Sequence, residues 1–229
     1  MSAEKIGEIK EQLKNTADSQ LGHFIEAYGS DDRGGVIKLV DSAKKRLDKY
    51  EKELIRTESL KKYEREYASY AHICGIDEVG RGPLAGPVCA ACVVLPRGLE
   101  LNALNDSKKM TEKRREETFR LLTECPQGYY GIGFADQQEI DEFNILQATF
   151  LAMQRAYAEL SAKLPDKKAL RLALVDGNRD PHLPLETRLV VKGDGTSAHI
   201  AAASVLAKVT RDRLMTEYAG EYPHYGWEK

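Results

Sequence analysis

Three apolar, strand-like segments of this chain each end in a carboxylate near a glycine. HICGIDEV ends on Asp77 and Glu78, with the tight turn Gly80-Arg81-Gly82 directly after it. LRLALVD ends on Asp176, followed by Gly177, and TRLVV leads through Lys192 to Asp194 and Gly195. Acid at the end of a buried strand is costly unless something positive compensates it. In sheets with helices on their faces, strand ends are also where ligands collect. An Asp-Gly pair can be a plain turn, which suffices for any one of these places; the recurrence at three strand ends argues for one shared site. Carboxylates grouped without partnering histidines or thiolates suit hard, oxygen-preferring cations, Mg²⁺ or Mn²⁺, rather than zinc. Adjacent strand residues point to opposite faces, so for Asp77 and Glu78 to meet one cation the pleat is expected to break at Glu78, beside Gly80.

The strands that carry these acids imply the fold. HICGIDEV and PVCAACVVLP read as buried strands, YYGIGFA alternates with period two, and LRLALVD and TRLVV complete five. Gly98 to Ser107 reads as a loop. Helices are expected from Thr111 to Thr123, with Thr111 as N-cap, from Asp136 to Lys163 with a break near Phe143 and Asn144, and from Ser197 to Tyr218 with an alanine-rich face. Strand following strand, then strand alternating with helix, implies a mixed α/β sheet with helices on its faces.

Residues 1 to 70 have another character: no proline, many Lys and Glu, and apolar residues at helical spacing. The pattern predicts one helix through Ile6, Leu13, Leu21 and Ile25, a break at Gly29-Ser30-Asp31-Asp32, and a second from about Gly35 to Tyr70. That arrangement suggests an antiparallel hairpin. Residues 1–70 are thus an expected helical extension, and 71–229 the main domain. The basic run Lys44, Lys45, Arg46, Lys61 and Lys62 is interleaved with acids and fits either a solvated helix face or added contacts to phosphate.

Composition narrows the classes. A net charge of −2 argues against a strongly basic nucleic-acid binder, although bound cations and local basic groups can offset it. No apolar run reaches membrane-spanning length, and MSAEKIGEIKEQLKN lacks the apolar centre of a secretory signal, so a cytoplasmic protein is expected. Cys89-Ala-Ala-Cys92 has the spacing of a zinc or redox pair but lies in a strand-like run, where residues three apart face opposite ways; with Cys74 and Cys125 they read as structural thiols. The five histidines form no cluster and read as structural or solvated, His182 and His199 being the hardest to assign.

Around the acids stand groups suited to phosphate. Asn105-Asp106-Ser107-Lys108-Lys109 precedes a helix N-terminus, a place that attracts anions. Lys192 lies two residues before Asp194, and Lys208 lies one turn after Ser204 on the last strong helix. Arg81 offers a planar donor fork. Two metal ions held by the acids would activate water and stabilise a leaving oxygen in phosphoryl displacement, with no histidine base required.

GIDEVGRGPLAGP, LNDSKKMTEKRRE, LVDGN and VKGDGTSAHIAAASVLAKVTRDR, in this order across residues 73 to 213, closely resemble the signature blocks of bacterial ribonuclease HII. Ribonuclease HIII is less similar at Arg81 and Pro83. The resemblance implies an RNase H-like five-stranded mixed sheet flanked by helices, with residues 1–70 similar to an extension of some Gram-positive relatives. It implies an Mn²⁺- or Mg²⁺-dependent endonuclease that cuts RNA in RNA–DNA hybrids and incises beside single ribonucleotides in duplex DNA. Carried over by motif, Asp77, Glu78, Asp176 and Asp194 are the catalytic, metal-binding acids. Gly80, Arg81 and Gly82 read the ribose 2′-hydroxyl, and Lys108, Lys192 and Ser204 lie near phosphates; Ser107 and Lys208 are grouped with them as substrate-binding. The family continues with a Lys-Gly-Tyr-Gly-Thr block whose tyrosine stacks at the RNA–DNA junction. That block is absent from this sequence, so the domain 71–229 reads as C-terminally truncated. Three alternatives stand beside this reading: another RNase H-like nuclease that cuts DNA, a nucleic-acid binding module without activity, and, for residues 1–70, an interaction protein built around the helical hairpin.

Overall fold

A computed structural model describes residues 4–99, 104, 107 and 110–227. The chain divides into two compact units, Met1–Glu58 and Ser59–Lys229. In chain order the helices are α1 Ile6–Asn15, α2 Leu21–Tyr28, α3 Gly34–Leu60, α4 Lys62–Glu66, α5 Glu112–Thr123, α6 Gln137–Lys163 and α7 Ala198–Glu221. The strands are β1 His72–Val79, β2 Val88–Val94, β3 Tyr129–Ala135, β4 Leu170–Asp176 and β5 Glu186–Val190.

In the first unit the single helix expected over residues 6 to 25 is two, α1 and α2, joined by a 3₁₀ turn at Asp18–Gln20. The apolar spacing persists across the joint, so periodicity alone hides it. Ile9, Leu13, Leu21, Phe24, Val36, Val40 and Ala43 form the unit's core. Arg46 caps the C-terminal end of α1, donating to the carbonyls of Leu13 at 2.9 Å and Thr16 at 3.1 Å and pairing with Asp18 at 2.6 Å. One member of the basic run is thereby committed inside the unit. The second helix was expected to reach Tyr70, but α3 ends at Leu60; the short α4 comes next, and residues 59–70 belong with the sheet.

The second unit is a five-stranded mixed sheet in the order β3-β2-β1-β4-β5, antiparallel across β3, β2 and β1 and parallel across β1, β4 and β5. Alternation on β2 sorts its side chains onto two faces. Cys89, Ala91 and Val93 pack with α7 residues, whereas Val88, Ala90, Cys92 and Val94 pack with Ala148, Ala152 and Ala156 of α6. Cys89 and Cys92 therefore lie on opposite faces, and burial pushes the Cys89 thiol up to about 12. Helix α6 breaks at Asn144, where φ is 70°, and the Asn144 side chain caps the longer C-terminal part of the helix by accepting from the Leu146 and Gln147 amides.

Every residue of α7 from Ala198 to Ala207 is buried. Its alanines let the helix lie directly on β1. A Cβ at Gly75 would stand 2.1 Å from the His199 carbonyl carbon. His199 itself is 4% exposed, and among the described residues its Nδ1 has no hydrogen-bond partner. The Glu64 carboxylate lies 3.7 Å from that atom, beyond hydrogen-bond reach, and would form an ion pair only with a protonated imidazole. Burial keeps the ring neutral, lowering its pKa to about 4. A free histidine titrates near 6.5, so below that pH the unfolded chain takes a proton that the folded one refuses. Stability is therefore full above pH 6.5 and falls as pH drops toward 4, by about 3 kcal/mol from this group. Glu64, whose carboxyl is raised by burial, titrates with the opposite sign and offsets part of the loss. Denaturant titrations across pH 7 to 4 should show a shallower decline in His199→Gln than in wild type; equal slopes would exclude His199 as the source.

Candidate active site

The face each acid takes is set by β-strand alternation. On β1, Cys74 and Ile76 pack into the α6-side core, which puts Glu78 on that side too. Ile73 and Val79 pack with α7 residues, which puts Asp77 on the α7 side. On β4, Leu172 and Leu174 pack with Ile200 of α7, so Asp176 shares the face of Asp77. Ile76 is paired with Val175 across the parallel β1–β4 ladder, so the two aspartates extend from neighbouring strands at the same end of the sheet. The expected break at Glu78 does not occur. The β1–β2 ladder continues through Glu78↔Ala90 and Val79↔Cys89, because Ala90 and Cys89 keep their places in the two packed cores. Asp77 and Glu78 thus take opposite faces of the sheet near the C-terminal end of its central strand.

Asp77 is the most constrained of the acids, being only 8% exposed. Its Oδ1 accepts from the Glu78 amide at 2.8 Å, and Ser204 of α7 hydrogen-bonds to its carboxylate. Burial first, then the charges of Glu78 and Asp176, hold its carboxyl well above the usual carboxylate range; the two hydrogen bonds oppose this without reversing it. Asp176 is oriented by the Gly193 amide, which donates to its Oδ1 at 2.6 Å. Asp194 lies one residue further, in the 3₁₀ turn Gly193–Gly195. Among the described residues, no three His, Cys, Asp or Glu side chains stand together closely enough to hold a metal ion as they are. The donor chemistry nevertheless fits a hard divalent cation. The charges of Glu78 and Asp176 both act on Asp77, and a buried carboxylate beside two like charges is relieved by a positive ion with oxygen preference.

Immediately beyond β1, Arg81 is exposed and pairs with Glu78 at 3.1 Å. Gly80 and Gly82 differ. Gly80 has φ 101°, and a Cβ there would lie 2.6 Å from both the Arg211 Nε and the Pro87 carbonyl oxygen, so the fold itself requires glycine. At Gly82 a Cβ would meet nothing within 4 Å, and the backbone is outside the left-handed region. Among the described residues nothing demands glycine at 82; exposed backbone open to close approach is what a ligand would use.

The remaining sequence candidates are placed unevenly. Ser107 is buried, and its hydroxyl lies 2.9 Å from that of Ser204, which links the loop before α5 to Asp77. Arg115 holds that loop by donating to the carbonyls of Ser107 at 3.1 Å and Met110 at 2.7 Å. Lys208 is half-buried and donates to Asp212 at 2.7 Å. Lys192 is exposed, in a left-handed turn with φ 56°. Lys108 lies outside the described residues, as do Asn105, Asp106 and Lys109 and much of the loop expected from Gly98 to Ser107. Arg211, buried against the turn after β1, had no place among the sequence candidates. In TRDR it looks like one more charge on a solvated helix.

Comparison with known proteins finds relatives by sequence and by fold. The family model described as Ribonuclease HII matches residues 74–229, and that described as Ribonuclease HII N-terminal domain matches residues 5–68. A ribonuclease HII of Lachnoclostridium phytofermentans is 43% identical over 223 residues, covering 97% of this chain and 85% of its own length. One from Clostridioides difficile is 42% identical over 230 residues, covering 100% of this chain and 88% of its own. Among solved structures, the ribonuclease H2 of Pyrococcus horikoshii OT3 aligns with a TM-score of 0.53 at 28% identity, over 66% of this chain and 77% of its own. Bst-RNase HIII, solved in complex with Mn²⁺, aligns with a TM-score of 0.56 over 66% of this chain and 55% of its own; at 17% identity it speaks for the fold alone.

Proposed function

The chain belongs to the ribonuclease HII family, hydrolases of RNA in RNA–DNA hybrids, and on that premise we propose that it also incises duplex DNA beside single embedded ribonucleotides, by two-metal hydrolysis, in the cytoplasm. The observation that carries this reading is the buried Asp77 with Asp176 on the same face, one turn of chain away from the exposed Arg81 and Gly82. In this proposal Asp77, Glu78, Asp176 and Asp194 are oxygen ligands for Mn²⁺ or Mg²⁺, with Asp77 and Glu78, which take opposite faces of β1, serving different ions. When bound, the ions supply a lowered water pKa and positive charge at the leaving oxygen. Ser204 and the Glu78 amide fix the rotation of the Asp77 carboxylate, and the Gly193 amide fixes that of Asp176. Gly80, Arg81 and Gly82 read the 2′-hydroxyl, the group by which a protein tells RNA from DNA at one position. Lys192, Lys208, Ser107, Ser204 and Lys108 serve the flanking phosphates. The helical N-terminal unit is an appendage to this chemistry. Among the described residues no helix is long and apolar enough to cross a membrane.

The test is cleavage, with Mn²⁺ and separately Mg²⁺, of a hybrid, of a DNA duplex with one ribonucleotide, and of the same duplex all in DNA. Cutting of the first two but not the third is expected. Cutting of all-DNA duplex would favour a DNA nuclease, and binding without cutting in either metal would favour a non-catalytic module. Arg81→Ala should raise KM on the single-ribonucleotide duplex about tenfold, the scale of one hydrogen bond to a charged group. Its kcat should change less, since the backbone of Gly80 and Gly82 remains. An unchanged KM would remove Arg81 from recognition.

A further inference from the structure

The segment from Gly80 to Pro87 has little of its own to hold it. Among the described residues, no backbone–backbone hydrogen bond outside the β1–β2 ladder engages any residue from 80 to 87. Leu84 at its tip is fully exposed. What grips the segment is one side chain from α7. Arg211 is 6% exposed; its Nε donates to the Pro87 carbonyl at 2.9 Å and its Nη2 to the Ala85 carbonyl at 2.8 Å. The same guanidinium sets the space available on the near side of the turn, where a Cβ at Gly80 would meet its Nε at 2.6 Å. At Gly86, with φ 83°, a Cβ would lie 2.4 Å from the Met215 sulfur and 3.2 Å from the Arg211 Nη2. Two glycines have thus given up their side chains to close on Arg211 and its helical neighbour. A guanidinium buried against carbonyl oxygens is expensive to desolvate, which a solvated helix face would have no reason to sustain.

Helix α7 also carries Ser204, the partner of the Asp77 carboxylate. Ser204 and Arg211 are seven residues apart, two helical turns on one face, which spans roughly 10 Å along the axis. A single rigid helix therefore touches both the acid and the turn. We propose that Arg211 is a positioning residue that fixes where the Gly80-Arg81-Gly82 turn stands relative to the Asp77 carboxylate, and through that distance sets selectivity for a ribonucleotide. The inference rests on the proposed role of this turn in reading the 2′-hydroxyl. Arg211 touches no substrate in it. Its two carbonyl bonds convert α7 into a ruler between the acids and the recognition turn.

The experiment measures binding in Ca²⁺ to two duplexes that differ only in one ribonucleotide, for wild type, Arg211→Lys, Arg211→Met and Gly86→Ala. Thermal melting and amide hydrogen exchange are measured in parallel. Arg211→Met should lose at least tenfold of the wild-type preference for the ribonucleotide, and Arg211→Lys, which can still reach one carbonyl, should recover part of it. Amides of β1 should stay as protected as in wild type while the preference falls, a pattern that general destabilisation would not produce. Should Arg211→Met fail to fold, Gly86→Ala perturbs the same contact from the loop side with Arg211 intact, and should lose preference likewise. A wild-type preference retained in full by the folded Arg211 and Gly86 variants overturns the positioning role alone. A wild type with no preference overturns the recognition role of the turn, and this inference with it.

Discussion

Asp77→Asn is expected to lower metal-supported cleavage by roughly a thousandfold or more while making the metal-free protein more stable. The activity loss is a matter of charge. An amide is nearly the shape of the carboxylate and its oxygen can still accept from the Glu78 amide, which now sits 2.8 Å from Asp77 Oδ1. What it cannot do is neutralise a divalent cation. Several kcal/mol of charge stabilisation then disappear from the transition state, at a factor of ten for about every 1.4 kcal/mol. The stability gain comes from the same charge. Asp77 is buried, and Glu78 and Asp176 repel its ionised form, so its carboxyl is held well above the usual range. A group whose folded pKa is raised destabilises the fold at every pH above its unfolded pKa. Replacing it with a neutral isostere removes that burden, and each kcal/mol recovered should raise the melting temperature by about 2–4 °C in a domain of this size. Asp176→Asn should behave alike in activity, since its hydrogen bond from Gly193 survives the change.

Opposite movement of activity and stability is what distinguishes a ligand from a structural carboxylate. A structural Asp77 would lose stability when neutralised, and activity only in proportion. Addition of Mn²⁺ should also raise the melting temperature of wild type by mass action and leave Asp77→Asn unmoved. Near-normal turnover in either variant would defeat the metal assignment.

Much of this was legible because strand patterns are local. HICGIDEV, YYGIGFA and LRLALVD are β1, β3 and β4 residue for residue, since apolar runs bounded by Gly, Pro or acid leave little freedom about where pairing stops. The placement of Asp77, Glu78 and Asp176 near strand ends was legible for the same reason, whereas Asp194 lies beyond β5 in the turn Gly193–Gly195. Four things were not legible. The joint between α1 and α2 and the end of α3 at Leu60 lie in stretches where apolar spacing and charge continue unbroken, without proline to mark them. The regular pleat through Glu78 is decided by the two cores that hold Cys89 and Ala90, outside the segment itself. Arg211 is fixed by carbonyls 124 and 126 positions away, and no local pattern separates it from Arg213, which pairs with Glu116 at the surface. Burial of a charged residue is a tertiary fact.

A severe folding defect is expected from one methyl group, in Gly75→Ala. The new Cβ would stand 2.1 Å from the His199 carbonyl carbon, 2.3 Å from the Ile200 nitrogen and 2.5 Å from the His199 oxygen. All three are backbone atoms of α7, so no side-chain rotation relieves the clash. Carbon atoms rest about 3.5–4.0 Å apart, so helix and strand must separate by more than an ångström. Helix α7 cannot move alone, because its buried residues from Ala198 to Ala207 fill the core on the face of β1 and β2. Overpacking of a core commonly costs about 1–3 kcal/mol and more where backbone must shift; here about 4 kcal/mol or more is expected, the range reserved for specific structural faults. At about 2–4 °C per kcal/mol the melting temperature should drop by roughly 10 °C or further. Gly220→Ala is the control in the same helix, since a Cβ there would meet nothing within 4 Å and alanine is the better helix former. A Gly75→Ala protein melting within about 2 °C of wild type, a shift too small for such a fault, would contradict the packed contact. Residual activity in the folded fraction is the sharper readout. Any displacement of α7 carries Ser204 away from Asp77 and Arg211 away from the recognition turn together, so cleavage per folded molecule should fall as well, although Gly75 touches neither site.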